Sequence, residues 1–282
     1  MPWQFSLASD IGGRSEQQDC LEVLTSDSGD AHLVVVADGM GGHRDGALAA
    51  RTVIETARRH FNTGQTSDPQ AFLQNLCLES HQGISALGNN EPRSPGSTCV
   101  LLYLNGPEAY WAHVGDSRLY HFRNGKLLNW TQDHSVAQLM VAQGRLRETD
   151  AATSALQNQL YMRLGGNQSP EPDFGASEVE ADDMFMLCSD GFWSSVEPQE
   201  VVTRLNGFPD ENDGAGHLVE MARERGGETG DNISLALMRW IPDKVHANKG
   251  VLARFLTLMT PASGGTSSIR RFRHRLQSLL CR

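Results

Sequence analysis

The order of predicted elements in this 282-residue sequence indicates an α+β fold, in which antiparallel β-sheets are covered by helices. Short strands come in runs and helices come in pairs, without the regular strand–helix alternation of a parallel sheet. The apolar fraction of 39% and the aromatic fraction of 7% are ordinary for a globular protein with one substantial core. We therefore expect one large domain, residues 1–242, followed by a basic extension at residues 243–282.

The N-terminal half predicts strands followed by two helices. Alternating or β-branched runs indicate three strands, at residues 5–10, 20–24 and 31–37. Helical periodicity follows at residues 47–61. Asp68-Pro69 then provides an N-cap and a first-turn proline for a second helix, which ends near Leu87.

The C-terminal half predicts the remaining strands, interrupted by a flap. Four strands, at residues 98–104, 109–114, 119–122 and 126–130, include a type I′ hairpin turn at Asn124-Gly125. After a short helix at 136–143, residues 145–175 are polar and irregular, and we interpret them as a surface flap. The last elements are a strand at 184–188, helices at 198–205 and 214–225, and a strand at 233–240.

The stretch from Val34 to Gly42 joins an apolar strand to one carboxylate and a glycine-rich turn. Asp38 stands at the open end of the strand, and the glycines after it let the backbone come close to whatever Asp38 holds. A carboxylate beside exposed carbonyl groups suits a hard cation, which prefers oxygen ligands. Taken alone, the stretch is equally typical of an ordinary turn.

Three further sites repeat this construction, an aspartate beside glycine at a strand end: Asp190-Gly191, Gly230-Asp231 and Gly115-Asp116. If the strands are neighbours, their ends gather an acidic cluster that needs cations to neutralise it. Two Mn²⁺ or Mg²⁺ ions sharing Asp38 could present a bridging hydroxide to phosphorus, and Arg14 could bind phosphoryl oxygens with its guanidinium fork. The chemistry indicated is phosphate-ester hydrolysis.

In family order and spacing over about residues 5–240, the sequence resembles the metal-dependent serine/threonine protein phosphatases of type 2C (PPM family), in their bacterial form. The resemblance is carried by Arg14–Asp19, Val34–His43 with Gly46, Gly96–Thr98, Gly115–Arg118, Thr131–Ser135, Ser189–Gly191 and Asp231-Asn232. It implies a four-layer α-β-β-α sandwich, with two central antiparallel sheets flanked by helix pairs and the metals at one end.

The resemblance also implies a role for each matching residue. Asp38 would bridge two metals, and the Gly39 carbonyl would complete the second. Asp190 and Asp231 would hold the first metal, and Asp116 a third, more weakly bound ion. Arg14 would bind the substrate phosphate, although it could instead pair with Asp19, and Asp19 itself would be an outer-shell acid.

The sequence departs from the family pattern beside the metals and at the general acid. Gln17 and Gln18 stand where relatives usually carry Asn and often Glu, and the lost charge could weaken the second metal. Met40 replaces the histidine that follows the Asp-Gly pair in animal members, so a water or another residue must protonate the leaving group. His43 is a candidate for that role, but a turn cap is the better interpretation, and His134 is interpreted as structural.

Cysteine usage and charge limit the environment and the partners. The odd number of cysteines, five, without a Cys-x-x-Cys pair, argues against disulfides and zinc. No apolar run spans a bilayer, so we expect a cytoplasmic protein, which we also expect to be a monomer. Residues 1–242 carry about −17 and the extension about +7 of the net −10, which disfavours nucleic acid as a partner of the domain.

The basic extension has two open interpretations. Residues 269–280 place apolar side chains at roughly helical spacing among arginines, after a Pro/Gly/Ser-rich link at 261–268. This segment could dock on an acidic partner or an anionic membrane surface, or it could pack on the acidic domain.

Three functions are compatible with these residues. The leading hypothesis is hydrolysis of phosphoserine and phosphothreonine in proteins, opposing a bacterial serine/threonine kinase or acting on its targets. A non-catalytic or weakly active metal-binding regulatory module of the same fold is the alternative, motivated by Gln18 and the basic extension. A small-molecule phosphatase would use the same attack geometry.

Overall fold

The structure, a computed structural model, describes residues 3–41, 44–61, 66–88, 94–151, 154–205 and 214–241. The strands are β1 Trp3–Asp10, β2 Asp19–Thr25, β3 Ala31–Met40, β4 Gly96–Ser97, β5 Cys99–Asn105, β6 Glu108–Val114, β7 Arg118–Arg123, β8 Lys126–Trp130, β9 Asp173–Glu178, β10 Met184–Cys188 and β11 Ile233–Trp240. The helices are α1 Arg44–Phe61, α2 Pro69–Leu87, α3 Val136–Ala142, α4 Glu148–Ala151, α5 Asp190–Trp193, α6 Pro198–Leu205 and α7 Gly214–Gly226.

Two antiparallel sheets form the centre of the molecule. One has the strand order β1-β11-β10-β7-β8, and the other has the order β2-β3-β5-β6-β9, with β4 paired to β3. In the first sheet, Asp10 pairs with Ile233, so the first and last strands of the described chain lie side by side. The expected pair of antiparallel sheets is confirmed.

Three apolar clusters hold four layers together. Between the sheets, side chains such as Val36, Leu102 and Phe185 interdigitate. The outer face of the β3–β5–β6 sheet packs on α1 and α2, and the outer face of the other sheet packs on α5, α6 and α7. Because helices cover the outer face of each sheet and the inner faces pack on each other, the α-β-β-α sandwich expected from the family resemblance is confirmed.

Two local predictions are confirmed in detail. The Asp68 carboxylate accepts the N–H of Ala71 at 3.0 Å and so caps α2 ahead of Pro69. Asn124 and Gly125 both have positive φ, 51° and 68°, as a type I′ turn between β7 and β8 requires.

The flap prediction is wrong at its C-terminal end, where β9 extends the second sheet. Its sequence, Asp-Phe-Gly-Ala-Ser-Glu, contains few strand-forming residues, so local propensity gives a weak signal. The strand forms because Gly175 pairs with Trp111 on β6, and the absent side chain leaves room for the indole. The short α4 also lies within the predicted flap.

Four of the five cysteines lie in the described residues. Cys20, Cys77, Cys99 and Cys188 are free thiols, and Cys99 and Cys188 are fully buried. Burial raises the pKa of the Cys188 thiol, which keeps it protonated and unreactive. Cys281, His43 and the extension at 243–282 lie outside the described residues.

In the part of the chain that the structure describes, no helix combines the length and the apolar character needed to cross a membrane.

We expect Gly175→Ala to destabilise the protein, since an added Cβ would lie 2.2 Å from the Trp111 ring. Overpacking of this kind costs about 1–3 kcal/mol, measurable as a lower urea midpoint. Gly226→Ala is the matched control, because no heavy atom lies within 4 Å of its added Cβ. Equal stability of the two variants would contradict the packing argument for β9.

Candidate active site

Five aspartates from different elements meet at one end of the sandwich. Asp19 and Asp38 pair across β2 and β3, Asp116 follows β6, Asp190 follows β10, and Asp231 precedes β11. The other four carboxylates all raise the pKa of Asp38 by charge repulsion. Asp19 and Asp116 are buried, whereas Asp231 is more than a third exposed. The strand ends therefore gather the carboxylates as the sequence predicts.

Desolvation and mutual repulsion disfavour ionisation of this cluster. Burial is the largest cause, and it raises the pKa of Asp19 to about 7 and that of Asp190 to about 6. The pKa values of Asp38 and Asp116 lie well above the ordinary value of 3.8 for the same first reason. Such a cluster is stable at neutral pH only with protons or cations on its oxygens.

The backbone of Asp38 is held by the strand pair β4–β5. Its N–H donates to the Thr98 hydroxyl at 3.0 Å, and its carbonyl accepts the Thr98 N–H at 2.9 Å and the Ser97 hydroxyl at 3.0 Å. The Thr98 hydroxyl also bonds that of Ser117 at 2.6 Å, beside Asp116. Because these groups are fully buried, the direction of the Asp38 side chain is set by the fold.

Ser189 links the two sheets beneath the cluster. Its hydroxyl donates to the Asp19 carboxylate at 2.6 Å and accepts the N–H of Ser234 at 3.0 Å. The same residue begins the turn that carries Asp190 into α5. Ser189, which precedes Asp190 in the sequence, therefore holds the Asp19 carboxylate in place.

The loop that carries Arg14 is attached to β11 by one amide side chain. Asn232 donates to the carbonyls of Ile11 at 2.9 Å and Glu16 at 3.0 Å, and it accepts the N–H of Gln18 at 2.8 Å. Gln17 also bonds within this region, to the Ser9 hydroxyl at 2.8 Å. Gln17, which stands where family members usually carry Asn, therefore takes part in the hydrogen bonding of this loop.

Arg14 lies at the rim of the cluster, where its Nη2 donates to Asp231 Oδ2 at 2.6 Å. The guanidinium is 55% exposed, so it can be reached from solvent. Pairing with Asp19, the other option that the sequence left open, does not occur.

Gly39 and Gly46 allow β3 and α1 to approach closely. A Cβ on Gly39 would lie 2.0 Å from the Gly46 carbonyl, and a Cβ on Gly46 would lie 2.8 Å from the Gly39 carbonyl. Gln18 packs in the same place, with its side-chain amide carbon 2.9 Å from the Cβ position of Gly46. Only glycine fits at these two positions.

His113, His134 and Asp173 form a second group of potential metal ligands, with ligand atoms within 4.8 Å of one another. His134 Nδ1 accepts the Gly115 N–H at 3.2 Å, so the ring proton lies on Nε2, which faces Asp173 at 3.2 Å. His113 stacks on His134 and faces the Gln132 carbonyl. A metal on Nε2 would move the single ring proton to Nδ1, where it would face the Gly115 N–H. This group is therefore a hydrogen-bond network, as the structural interpretation of His134 expects.

The aspartate cluster has the donor set that hard divalent cations prefer. Its ligand atoms are carboxylate oxygens, and Asp190 Oδ1 is buried without a hydrogen-bond partner. An unpaired buried oxygen is costly unless a cation or a proton occupies it. The five aspartates can therefore hold Mg²⁺ or Mn²⁺, next to a guanidinium suited to phosphate.

The sequence missed the residues that hold these aspartates, namely Ser97, Thr98, Asn232, Ser189, Trp193 and the Arg118–Asp133 pair. Several of these residues lie inside the motifs that carry the family resemblance, so the motifs indicated where in the sequence they would be found. Their hydrogen-bond partners are distant in sequence and were not readable from it.

Comparison with known proteins agrees with this architecture. A sequence model of the family described as Protein phosphatase 2C matches residues 8–230. A putative protein phosphatase 2C-type of Streptococcus pyogenes is 32% identical over 240 residues, covering 83% of this chain and 96% of the relative.

Solved structures give the same result. A serine/threonine phosphatase of S. agalactiae has a TM-score of 0.76 and 30% identity, covering 85% of this chain and 100% of its own. The catalytic domain of the phosphatase PstP, in complex with two manganese ions, has a TM-score of 0.73 and 27% identity, covering 85% of this chain and 99% of its own.

The fold and the acidic site are those of a metal-assisted hydrolase. The chain belongs to the Protein phosphatase 2C family. It is an enzyme, and its substrates are phosphorylated proteins.

The cluster predicts a distinctive pH dependence of stability without metal. The pKa of Asp19 is raised from 3.8 to about 7 and that of Asp190 from 3.8 to about 6. At a pH between the ordinary and the raised pKa, the folded protein therefore binds more protons than the unfolded chain. Its free energy of unfolding therefore falls as pH rises from about 4 to about 7. We expect the Tm of chelator-treated protein to fall over this range, and Mn²⁺ to raise Tm more at about pH 7.5 than at about pH 5.

The control for this prediction is Asp19→Asn, which keeps an acceptor for Ser189 but removes one titrating group. We expect a shallower decline of Tm with pH. An equally steep decline in this variant would show that other groups control the pH dependence.

Proposed function

We propose that this protein is a Mn²⁺- or Mg²⁺-dependent phosphatase that hydrolyses phosphoserine and phosphothreonine in proteins. The observation that carries the proposal is the convergence of Asp38, Asp190 and Asp231 with one accessible guanidinium. When bound, two divalent ions supply an activated water and neutralise the phosphoryl group. A relative of known structure holds two manganese ions, which supports this choice of cation.

We assign roles to the residues of this chain in the proposal. Asp38 would contribute oxygens to both ions, the Gly39 carbonyl would bind the second, and Asp190 and Asp231 would bind the first. Asp116 would bind a third, weaker ion, and Asp19, which accepts a hydrogen bond from Ser189, would orient the cluster.

Arg14 binds and orients the substrate in this mechanism. Its guanidinium exchanges contact with Asp231 for the phosphoryl oxygens, because its exposed fork matches their geometry. Met40 carries no ionisable proton, so a water or another residue must protonate the departing serine or threonine oxygen.

The cellular setting follows from the chemistry and composition. The enzyme opposes a serine/threonine kinase, on the kinase itself or on its targets, and acts as a cytoplasmic monomer. The free thiols of the four described cysteines support a reducing compartment. Residues 243–282, outside the described part of the chain, would either dock on an acidic partner or an anionic membrane surface or pack on the acidic domain.

Asp38→Asn and Asp190→Asn should each lower hydrolysis of an aryl phosphate and a phosphothreonine peptide by more than about 100-fold, since each loses an oxygen ligand. A chelator should abolish wild-type activity, and Mn²⁺ should restore it. Asp182→Asn is the control, because Asp182 is an exposed turn aspartate with φ 64°, a conformation that Asn adopts readily. Activity that survives chelation or either cluster substitution would rule out the two-ion mechanism.

Gln18→Glu should strengthen metal binding, because it adds a carboxylate beside Gly39 and Gly46. We expect the half-saturating Mn²⁺ concentration for aryl phosphate hydrolysis to fall by about threefold, a change of about 0.7 kcal/mol. Gln17→Glu is the comparison, since that side chain bonds Ser9 instead. A rise in the Mn²⁺ requirement of Gln18→Glu would contradict the proposed place of Gln18 near the second ion.

A further inference from the structure

Trp193 connects two of the aspartates through its indole N–H. It lies in α5, the four-residue helix that begins with Asp190, and it is 7% exposed. Its Nε1 donates to the carbonyl of Asp116 at 2.9 Å. Asp190 and the donor to Asp116 therefore belong to the same helical turn.

The indole ring is itself held in place. The Arg118 guanidinium lies 3.6 Å from the ring centroid, and it donates to both oxygens of the buried Asp133 at 2.8 Å. A cation over an aromatic face and a bidentate ion pair both restrict orientation. The ring is fixed on its face by Arg118 and at its N–H by Asp116.

The position of the Asp116 carboxylate depends on its backbone. The preceding residue, Gly115, has φ 103°, and both of its backbone groups are bonded to His134, at 3.2 Å and 2.9 Å. Trp193 therefore completes a set of bonds that fix the Gly115–Asp116 turn on both sides.

Core packing does not by itself require this bond. The indole nitrogen of Trp3, which is also buried, at 5% exposure, has no hydrogen-bond partner. The protein therefore tolerates an unpaired tryptophan N–H far from the site, where β1 pairs with the end of β11 at Trp240. The Trp193 hydrogen bond, in contrast, joins two candidate metal-binding positions, because it links Asp116 to the helix that begins with Asp190.

We propose that Trp193 is a positioning residue that fixes the spacing between Asp116 and Asp190, and so sets the affinity of the site for its weaker, third divalent cation. The inference rests on the proposed function for the identity of the cation. It concerns Trp193 alone, to which the metal-site proposal assigns no role.

The test is Trp193→Phe, which keeps an aromatic face for Arg118 and removes the N–H donor. Mn²⁺ binding is measured by the loss of the free-ion signal in electron paramagnetic resonance, and the Mn²⁺ dependence of aryl phosphate hydrolysis is measured in parallel. We expect the weak class of Mn²⁺ sites to bind about three- to tenfold more weakly, as for a lost buried hydrogen bond, while the tight class is unchanged. Trp3→Phe, which removes an unpaired N–H, should change neither class.

A double-variant comparison separates positioning from general structure. If Trp193 acts through Asp116, adding Trp193→Phe to Asp116→Asn should have no further effect on Mn²⁺ binding. If Trp193→Phe does not fold, replacement of Trp193 with 3-benzothienylalanine keeps the bicyclic shape without the N–H and gives the same readout.

The inference is overturned by unchanged weak-site binding, by equal weakening of both classes, or by additive effects in the double variant. Failure of the proposed function would look different, since the wild-type protein would bind Mn²⁺ without hydrolysing either substrate. The binding measurements would still decide the role of Trp193.

Discussion

Mutual repulsion of carboxylates at one end of the sandwich is the constraint on which the site depends. Five aspartates are placed where desolvation and like charge both oppose ionisation, and their raised pKa values express that opposition. The apolar clusters on both faces of each sheet provide the stability that permits such an arrangement. The acidic site therefore destabilises the folded protein locally, and the rest of the fold compensates for this destabilisation. Bound cations reduce it by neutralising the carboxylates.

Neutral side chains, rather than opposing charges, hold most of these aspartates. Buried hydroxyls of Thr98 and Ser189 and the amide of Asn232 bond the backbone or the oxygens without neutralising the carboxylates. The guanidinium of Arg118 is engaged with Asp133, Tyr120 and the Trp193 ring, and Arg14 lies at the exposed rim. Negative charge is therefore retained for a cation, and the exposed Arg14 guanidinium at the rim is available for phosphate.

The sequence allowed most of the architecture and four of the aspartates to be predicted, because strand periodicity and pairs of aspartate and glycine are local signals, whereas Asp19 was indicated only by the family resemblance. It could not show that Trp193 bonds Asp116, since that contact joins residues 77 positions apart and depends on the packing of α5. Strand β9 was missed because its stability comes from Trp111 on the neighbouring strand and not from its own composition. The sequence also could not show that Arg14 pairs with Asp231, because this contact depends on the position of β11 in the fold and leaves no local pattern in the sequence.

The attachment of the Arg14 loop to β11 has a consequence for how the enzyme is made. Asn232 bridges the carbonyls of Ile11 and Glu16, and β1 pairs with β11, so residues near both ends of the described chain complete the site together. Contacts so distant in sequence form late in folding, because loop closure must precede them. A chain still on the ribosome, with residues 231–240 not yet released, lacks both Asp231 and the strand that positions Arg14. The site is therefore complete only when residues near both ends of the described chain have been synthesised.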